Sequence, residues 1–287
     1  MRAHLVQLDI AWEDPARNFE RVADLLDREH VHPGDLVLLP EMFDTGFSLN
    51  TEKTADTGGT LTFLTALATD LKAFVQGGRT VRAEGGTGGA RATNRATVIA
   101  PDGRVMCDYR KVHPFSFGRE PERFDGGTEV FTYPWTAAAD PRSSSPHLSQ
   151  SRRGDPTSSP APGLSVCPAV CYDLRFPELF RIGLLKGAEV FALGANWPEA
   201  RQTHWRALLI ARAIENQAYV LGVNRTGRDP NLNYIGGSIA VGPRGEVLGE
   251  LGPEERVLSV EVQPQHLHSW RETFPAWRDI KLTALRA

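Results

Sequence analysis

The chain has 287 residues, 41% of them hydrophobic and 23% charged, with a formal net charge of -3. This is ordinary globular composition with room for a sizeable core, and it lacks the basic surplus of a nucleic-acid or acidic-membrane partner. Three cysteines (Cys107, Cys167 and Cys171), an N-terminus too quickly polar for a signal peptide and no apolar run near the roughly 20 residues of a membrane span lead us to expect a cytoplasmic protein without disulfides.

The chain opens on alternation, Leu5, Gln7, Asp9 against Val6, Leu8, Ile10, which predicts a strand with one more apolar face. Asp14-Pro15 opens a helix, Asp14 as cap and Pro15 in the first turn, and Phe19, Val22, Ala23, Leu25 and Leu26 give it an apolar stripe. After His32-Pro33-Gly34, the apolar run 35–39 predicts a strand buried on both faces. A second helix follows Gly58-Gly59, with Leu61, Leu64, Leu67, Ala68 and Leu71 at helical spacing. Short β segments come next at 74–76, 80–83, 95–100 and 104–109, the last two joined by Pro101-Asp102-Gly103.

Residues 137–162 are rich in Ser, Pro and Arg and nearly empty of large apolar side chains, which predicts an exposed, mobile insertion. A strand at 164–170 ends at Cys171. A helix at 176–186, a strand at 190–195, a longer helix at 202–217 and a strand at 219–223 follow. The last third adds strands at 238–241, 246–251 and 257–262. Strand and helix alternate near both ends around a β-rich middle, which is an α/β pattern with helices over buried strands.

Three residues stand where chemistry is easiest to arrange. Cys171 ends a strand just before a helix, so its thiol faces backbone N–H groups expected to lower its pKa and able to hold an oxyanion. A free cysteine is more often buried and structural, which is how we read Cys107 and Cys167. Glu41 follows Leu38-Leu39-Pro40 at the carboxyl end of a buried strand, where ligands gather in α/β sheets, and partial burial is expected to raise its pKa toward that of a general base. A capping or loop carboxylate is the plain alternative. Lys111, in Tyr109-Arg110-Lys111-Val112-His113-Pro114-Phe115, also follows a strand; a fixed ammonium there stabilises an oxyanion, whereas an ordinary lysine is solvated.

Taken together, strand-Pro40-Glu41, strand-Arg110-Lys111 and strand-Cys171-Tyr172-Asp173-Leu174-Arg175-Phe176-Pro177-Glu178 resemble the nitrilase superfamily of carbon–nitrogen hydrolases across nearly the whole chain. The resemblance implies one domain over 1–287, folded as a four-layer α-β-β-α sandwich whose subunits pair as a homodimer or higher homo-oligomer. It implies Glu41 as general base, Lys111 as electrostatic stabiliser and Cys171 as nucleophile, with no metal or organic cofactor. A second glutamate often follows the family's lysine; Glu120 and Glu122 compete for that place, and the closer spacing favours Glu120. Asn196-Trp197-Pro198 matches the family's next active-site loop, and Arg212-Ala213-Ile214-Glu215-Asn216 a helix of mainly structural role.

Residues 109–120, 171–181 and 196–198 look most like the ω-amidase branch, which hydrolyses the terminal amides of α-keto acids such as 2-oxoglutaramate and 2-oxosuccinamate. The Tyr172 backbone N–H, Asn196, Trp197 and Phe115 are the expected substrate contacts, with Phe117 as a further wall. The substrate's far carboxylate calls for an arginine, Arg201 or Arg119. The rival within the family is another small amide, a nitrile or an N-carbamoyl compound. A nucleotide-binding oxidoreductase is a distant alternative, because the Gly-rich stretch 85–89 precedes a β-like segment rather than a helix. Eight scattered histidines, with His266 and His268 the nearest pair, give no metal-binding pattern.

Overall fold

The computed structural model describes residues 1–82, 91–136 and 163–281. The Gly-rich stretch 85–89 and the segment 137–162 lie outside the described residues. The first part of the chain runs β1 (Arg2–Gln7), α1 (Pro15–Leu26), β2 (Leu36–Leu38), α2 (Thr51–Thr54), α3 (Gly59–Leu71), β3 (Phe74–Arg82), β4 (Ala92–Ile99) and β5 (Val105–Arg110). After β6 (Tyr133–Thr136) come β7 (Gly163–Val170), α4 (Pro177–Leu185), β8 (Val190–Ala195), α5 (Gln202–Asn216) and β9 (Tyr219–Asn224). The chain then adds β10 (Thr226–Arg228), β11 (Asn233–Ile235), β12 (Ile239–Val241), β13 (Val247–Glu250), β14 (Arg256–Glu261) and α6 (Pro264–Thr273).

Two six-stranded sheets form, ordered β14-β1-β2-β3-β4-β5 and β13-β12-β9-β8-β7-β6. In each, three consecutive parallel strands (β1, β2, β3 and β7, β8, β9) lead into antiparallel neighbours. The two halves therefore repeat one β-α-β-α-β plan, with β14 and β6 each closing a sheet.

Side-chain parity explains the layers. Along β1 and β2, Ala3, Leu5, Leu36 and Leu38 join a core shared with Val166, Ala169, Val190 and Ala192 of the other sheet. Their alternates Val6, Val37 and Leu39 pack beneath Val22 and Leu26 of α1 and Leu64 and Ala68 of α3. On the far side, Leu179 and Phe180 of α4 and Trp205, Leu209 and Ala213 of α5 cover the second sheet. Helices, sheet, sheet and helices make the four layers expected of the nitrilase type.

Local signals operate as read. Asp14 accepts from the Arg17 N–H at 3.2 Å and Pro15 begins α1. One expectation fails. The segments 74–76 and 80–82 are a single strand, β3, whose Gly77 and Gly78 stay in register opposite Thr97 and Ala96, residue 83 lying outside the described residues. Gly78 is not a turn; a Cβ there would lie 2.3 Å from the Met42 backbone nitrogen, so the position is small because the Glu41 loop crosses it. The pattern also passed over β6, an edge strand able to hold Pro134, and α6, whose first residue is Pro264.

Candidate active site

The site forms where the carboxyl ends of parallel strands from both sheets meet. Glu41 follows β2 and is carried past β8 so closely that a Cβ on Gly194 would lie 2.8 Å from the Leu39 carbonyl oxygen and 3.0 Å from the Glu41 nitrogen. The next residue, Met42, turns with φ +44°. Lys111 follows β5, Cys171 follows β7 and Asn196 follows β8. Carboxyl ends of strands are where such folds collect functional groups.

Glu41, Lys111 and Glu120 are all buried. Lys111 Nζ donates to Glu41 Oε1 and to Glu120 Oε2, each at 2.8 Å. Asn94 Nδ2, on β4, donates to Glu41 Oε1 at 2.7 Å and Glu120 Oε1 at 2.9 Å. Asn196 closes the other side, its backbone N–H donating to Glu41 Oε2 at 3.1 Å and its Nδ2 to the Glu41 carbonyl at 2.6 Å. Glu120 thus takes the place beside the lysine. Glu122 is exposed and bonded to Arg119.

The electrostatics separate the two carboxylates. Burial alone would raise the Glu41 pKa, but the Lys111 charge and the hydrogen bonds from Lys111, Asn94 and the Asn196 N–H bring it below its ordinary value. Glu120 is raised by burial, which the Lys111 charge opposes without overcoming and to which the Glu41 charge adds. Burial works against the Lys111 ammonium, yet the Glu120 and Glu41 charges outweigh it and raise its pKa. The sequence led us to expect a raised Glu41; proximity to Lys111 reverses the sign.

Cys171 sits at φ +45°, in the left-handed region that a non-glycine residue rarely occupies. Its Sγ lies 3.8 Å from the Asn196 carbonyl oxygen. Its pKa is well above the ordinary thiol value, because of burial first and then the Glu41 charge, against which Lys111 gives partial relief. The expected lowering by backbone N–H groups is therefore overturned: the resting group is a thiol. Cys107 and Cys167 are buried in the core, and burial pushes Cys107 up to about 12.

The turn that presents Cys171 is pinned from two directions. Arg212 of α5 donates through Nε and Nη2 to the Leu174 carbonyl at 3.2 and 2.9 Å, a structural task for that helix. Asp173 accepts from the Val170 N–H at 2.9 Å and from Tyr109 Oη at 2.7 Å. The loop 196–198 is held by Asn224, which exchanges hydrogen bonds with the Trp197 N–H and carbonyl.

Above these groups lies a cavity of about 280 Å³ with Glu41, Lys111, Cys171 and Asn196 in its lining. Phe115, Tyr172, Trp197 and Phe117 are among its aromatic walls, with Phe47 and Tyr234, and Phe117 is strongly exposed. Arg175 and Arg201 line it as well, stacked over Trp197 at 4.8 Å and Phe115 at 5.4 Å. Neither guanidinium has a carboxylate within 4.0 Å among the described residues. Arg119 is outside this lining, so of the two arginines expected from sequence only Arg201 reaches the cavity, joined by Arg175. Asn94 and Arg175 were missed. Asn94 is one of several polar residues in an otherwise ordinary strand; Arg175 lies four residues after Cys171, but nothing in sequence spacing points it into a cavity.

A thiol, an ionised carboxylate and an ammonium gathered in one pocket, on a two-sheet α/β frame, are the equipment of a hydrolase. The carbon–nitrogen hydrolase family model matches residues 2–272, and the chain belongs to that family. It is 31% identical over 280 residues to the 2-oxoglutaramate amidase of Bacillus subtilis (strain 168), covering 96% of each chain. It is 32% identical over 285 residues to omega-amidase YafV of Escherichia coli (strain K12), covering 97% of this chain and 96% of that one. Among solved structures, XC1258 from Xanthomonas campestris, a CN-hydrolase superfamily protein with an arsenic adduct in its active site, matches with a TM-score of 0.82 at 32% identity, covering 100% of this chain and 99% of that one. Nit3 of Saccharomyces cerevisiae, a nitrilase-superfamily member, shares the fold, with a TM-score of 0.76 at 23% identity over 100% of this chain and 96% of its own. No helix among the described residues is long and apolar enough to cross a membrane.

Proposed function

We propose that this protein releases ammonia from the terminal carboxamide of small α-keto acid amides such as 2-oxoglutaramate and 2-oxosuccinamate, through Glu41, Lys111 and Cys171. The observation that carries this reading is Lys111 bonded to Glu41 and Glu120 beside Cys171, below a cavity that also contains two guanidiniums free of carboxylate partners among the described residues. The relatives named 2-oxoglutaramate amidase and omega-amidase support the choice of substrate.

In the first half-reaction Glu41, held ionised by Lys111, takes the Cys171 proton as sulfur bonds the carboxamide carbon. Negative charge passes to the carbonyl oxygen, where Lys111 and the Tyr172 backbone N–H stabilise it. The C–N bond then breaks, protonated Glu41 gives its proton to the departing ammonia, and a thioester remains. In the second half Glu41 takes a proton from water as hydroxide attacks the thioester carbon; the C–S bond then breaks, protonated Glu41 returns its proton to the Cys171 sulfur, and the carboxylic acid leaves. Glu120 fixes Lys111. Trp197 and Phe115 are walls that hold the short chain, and Arg201 and Arg175 pair its far carboxylate. The protein works in the cytoplasm as a homodimer or higher homo-oligomer, a state that sedimentation would measure.

The test is ammonia release from 2-oxosuccinamate and 2-oxoglutaramate by the wild type beside Cys171→Ala. Release by the wild type alone is the expected result. Release by both proteins removes Cys171 as nucleophile, and release by neither removes the substrate class.

A further inference from the structure

We infer that Asp173 is a positioning residue that sets the placement of Lys111 against Cys171. The two groups belong to different sheets, Lys111 following β5 in one and Cys171 following β7 in the other. Something must hold their spacing to within a fraction of an ångström, because misplacement of about 1 Å costs on the order of 100-fold in rate.

Asp173 is completely buried, and both of its oxygens are used twice. Oδ1 accepts from the His113 backbone N–H at 3.0 Å and from His113 Nδ1 at 2.8 Å. Oδ2 accepts from Tyr109 Oη at 2.7 Å and from the Val170 N–H at 2.9 Å. Tyr109 stands two residues before Lys111 and His113 two after it, so the carboxylate grips the lysine segment on both sides. Val170 and Asp173 flank Cys171, so the same carboxylate also closes the nucleophile turn. Among the described residues, every hydrogen bond between 109–115 and 170–176 ends on Asp173. The His113 ring completes the clamp by stacking on Phe176, centroids 3.8 Å apart and planes 7° from parallel.

An amide cannot reproduce this. Four donors converge on the two oxygens, and an Asn amino group would face either Tyr109 and Val170 or the two His113 donors. Tyr109→Phe is the gentler probe, since it removes one donor from the lysine side and leaves the nucleophile turn bonded.

The inference rests on the amidase reading, so wild-type ammonia release is measured first; its absence would count against that reading and not against Asp173. With activity established, Asp173→Asn and Tyr109→Phe are compared for kcat, KM, thermal unfolding and the pH-rate profile of Cys171 alkylation by iodoacetamide. We expect kcat to fall, on the order of 100-fold for Asp173→Asn and 10-fold for Tyr109→Phe, with KM within about 2-fold. The alkylation profile should move to higher pH in both, because Lys111 is the cation that partly offsets the raised Cys171 pKa. If Asp173→Asn does not fold, Tyr109→Phe decides. A folded variant with lowered melting temperature but wild-type kcat and an unmoved alkylation profile would make Asp173 a structural residue only and overturn the inference.

Discussion

Glu120→Gln separates the two adjacent glutamates and has a cost that follows from geometry. Glu120 Oε2 accepts from Lys111 Nζ at 2.8 Å and from the Phe115 N–H at 2.5 Å, while Oε1 accepts from Asn94 Nδ2 at 2.9 Å. A glutamine has one acceptor oxygen. Whichever way its amide is turned, its amino group faces a buried donor, Asn94 on one side or Lys111 and Phe115 on the other. The charged hydrogen bond is worth roughly 1.5–3 kcal/mol, and the orphaned donor costs a further 1–3 kcal/mol or so. Together these give about 3–6 kcal/mol, which spans the usual range of about 3–5 kcal/mol for breaking a buried pair. In a chain of this size that lowers the melting temperature by ~5–10 °C. Lys111 retains Glu41 but loses its second anchor, so we expect kcat for 2-oxosuccinamate to fall on the order of 100-fold. Ammonia release and thermal unfolding read both numbers. Glu122→Gln is the control; its partner is the exposed Arg119, and it should change neither. Wild-type kcat in a folded Glu120→Gln protein would refute the assignment of Glu120 as the lysine's anchor.

Gly194→Ala drives a methyl group against the Leu39 carbonyl and the Glu41 nitrogen, both rigid backbone. Urea unfolding should show a loss of about 1–3 kcal/mol, with kcat falling as Glu41 is displaced; unchanged kcat would mean that the Glu41 loop yields freely. Arg201→Gln should raise KM for 2-oxoglutaramate by about 10- to 100-fold, the worth of one charged hydrogen bond, while leaving an uncharged aliphatic amide unaffected; equal effects on both would deny Arg201 a carboxylate partner. Asp44, wholly buried and accepting from Thr60 Oγ1 at 2.7 Å, is raised by burial to about 7 from 3.8. Because its folded pKa lies above its unfolded one, its contribution is complete below pH 3.8 and is lost as pH rises to about 7, up to about 4 kcal/mol. Asp44→Asn should therefore gain on the wild type between pH 4 and 7 in urea unfolding, and a constant difference across that window would contradict the argument.

The residues legible in the sequence are those with a strong local signature. Glu41, Lys111 and Cys171 each terminate a strand, and the strands are marked by apolar runs and turns. The residues that hold them in place carry no such mark. Asn94 bonds to Glu41, 53 positions away, and Tyr109 to Asp173, 64 positions away. No spacing rule spans those gaps, because the first pair meets only when non-neighbouring strands assemble into one sheet and the second only when the two sheets pack face to face. The pKa expectations failed for the same reason. Burial was legible and pointed upward for Glu41, but its sign depends on an ammonium 2.8 Å away, a distance that exists only in the folded chain. Gly77-Gly78 misled in the opposite sense: a local signal for a break was a long-range requirement for close approach.

The charge inventory of the site bears on how buried chemistry can proceed. Glu41 keeps its charge, Lys111 keeps its own, burial raises the Glu120 pKa and Cys171 rests as a thiol. A resting thiolate beside the Glu41 carboxylate would place two negative charges together among buried groups, which is costly. The raised thiol avoids this. When sulfur attacks, its proton passes to Glu41, so the Glu41 charge disappears as a negative charge develops on the substrate oxygen. One negative charge is relocated and none is created, and Lys111 lies beside its starting point on Glu41. On this account a lower-pKa thiol would hinder the reaction, because it would ionise before the substrate arrived and oppose Glu41. Lys111→Met should then do more than weaken oxyanion binding. With its counter-ion gone, Glu41 loses the influence that holds it ionised, and the activity profile should shift to higher pH as well as fall. A fall in kcat without that shift would show that the lysine acts on the oxyanion alone.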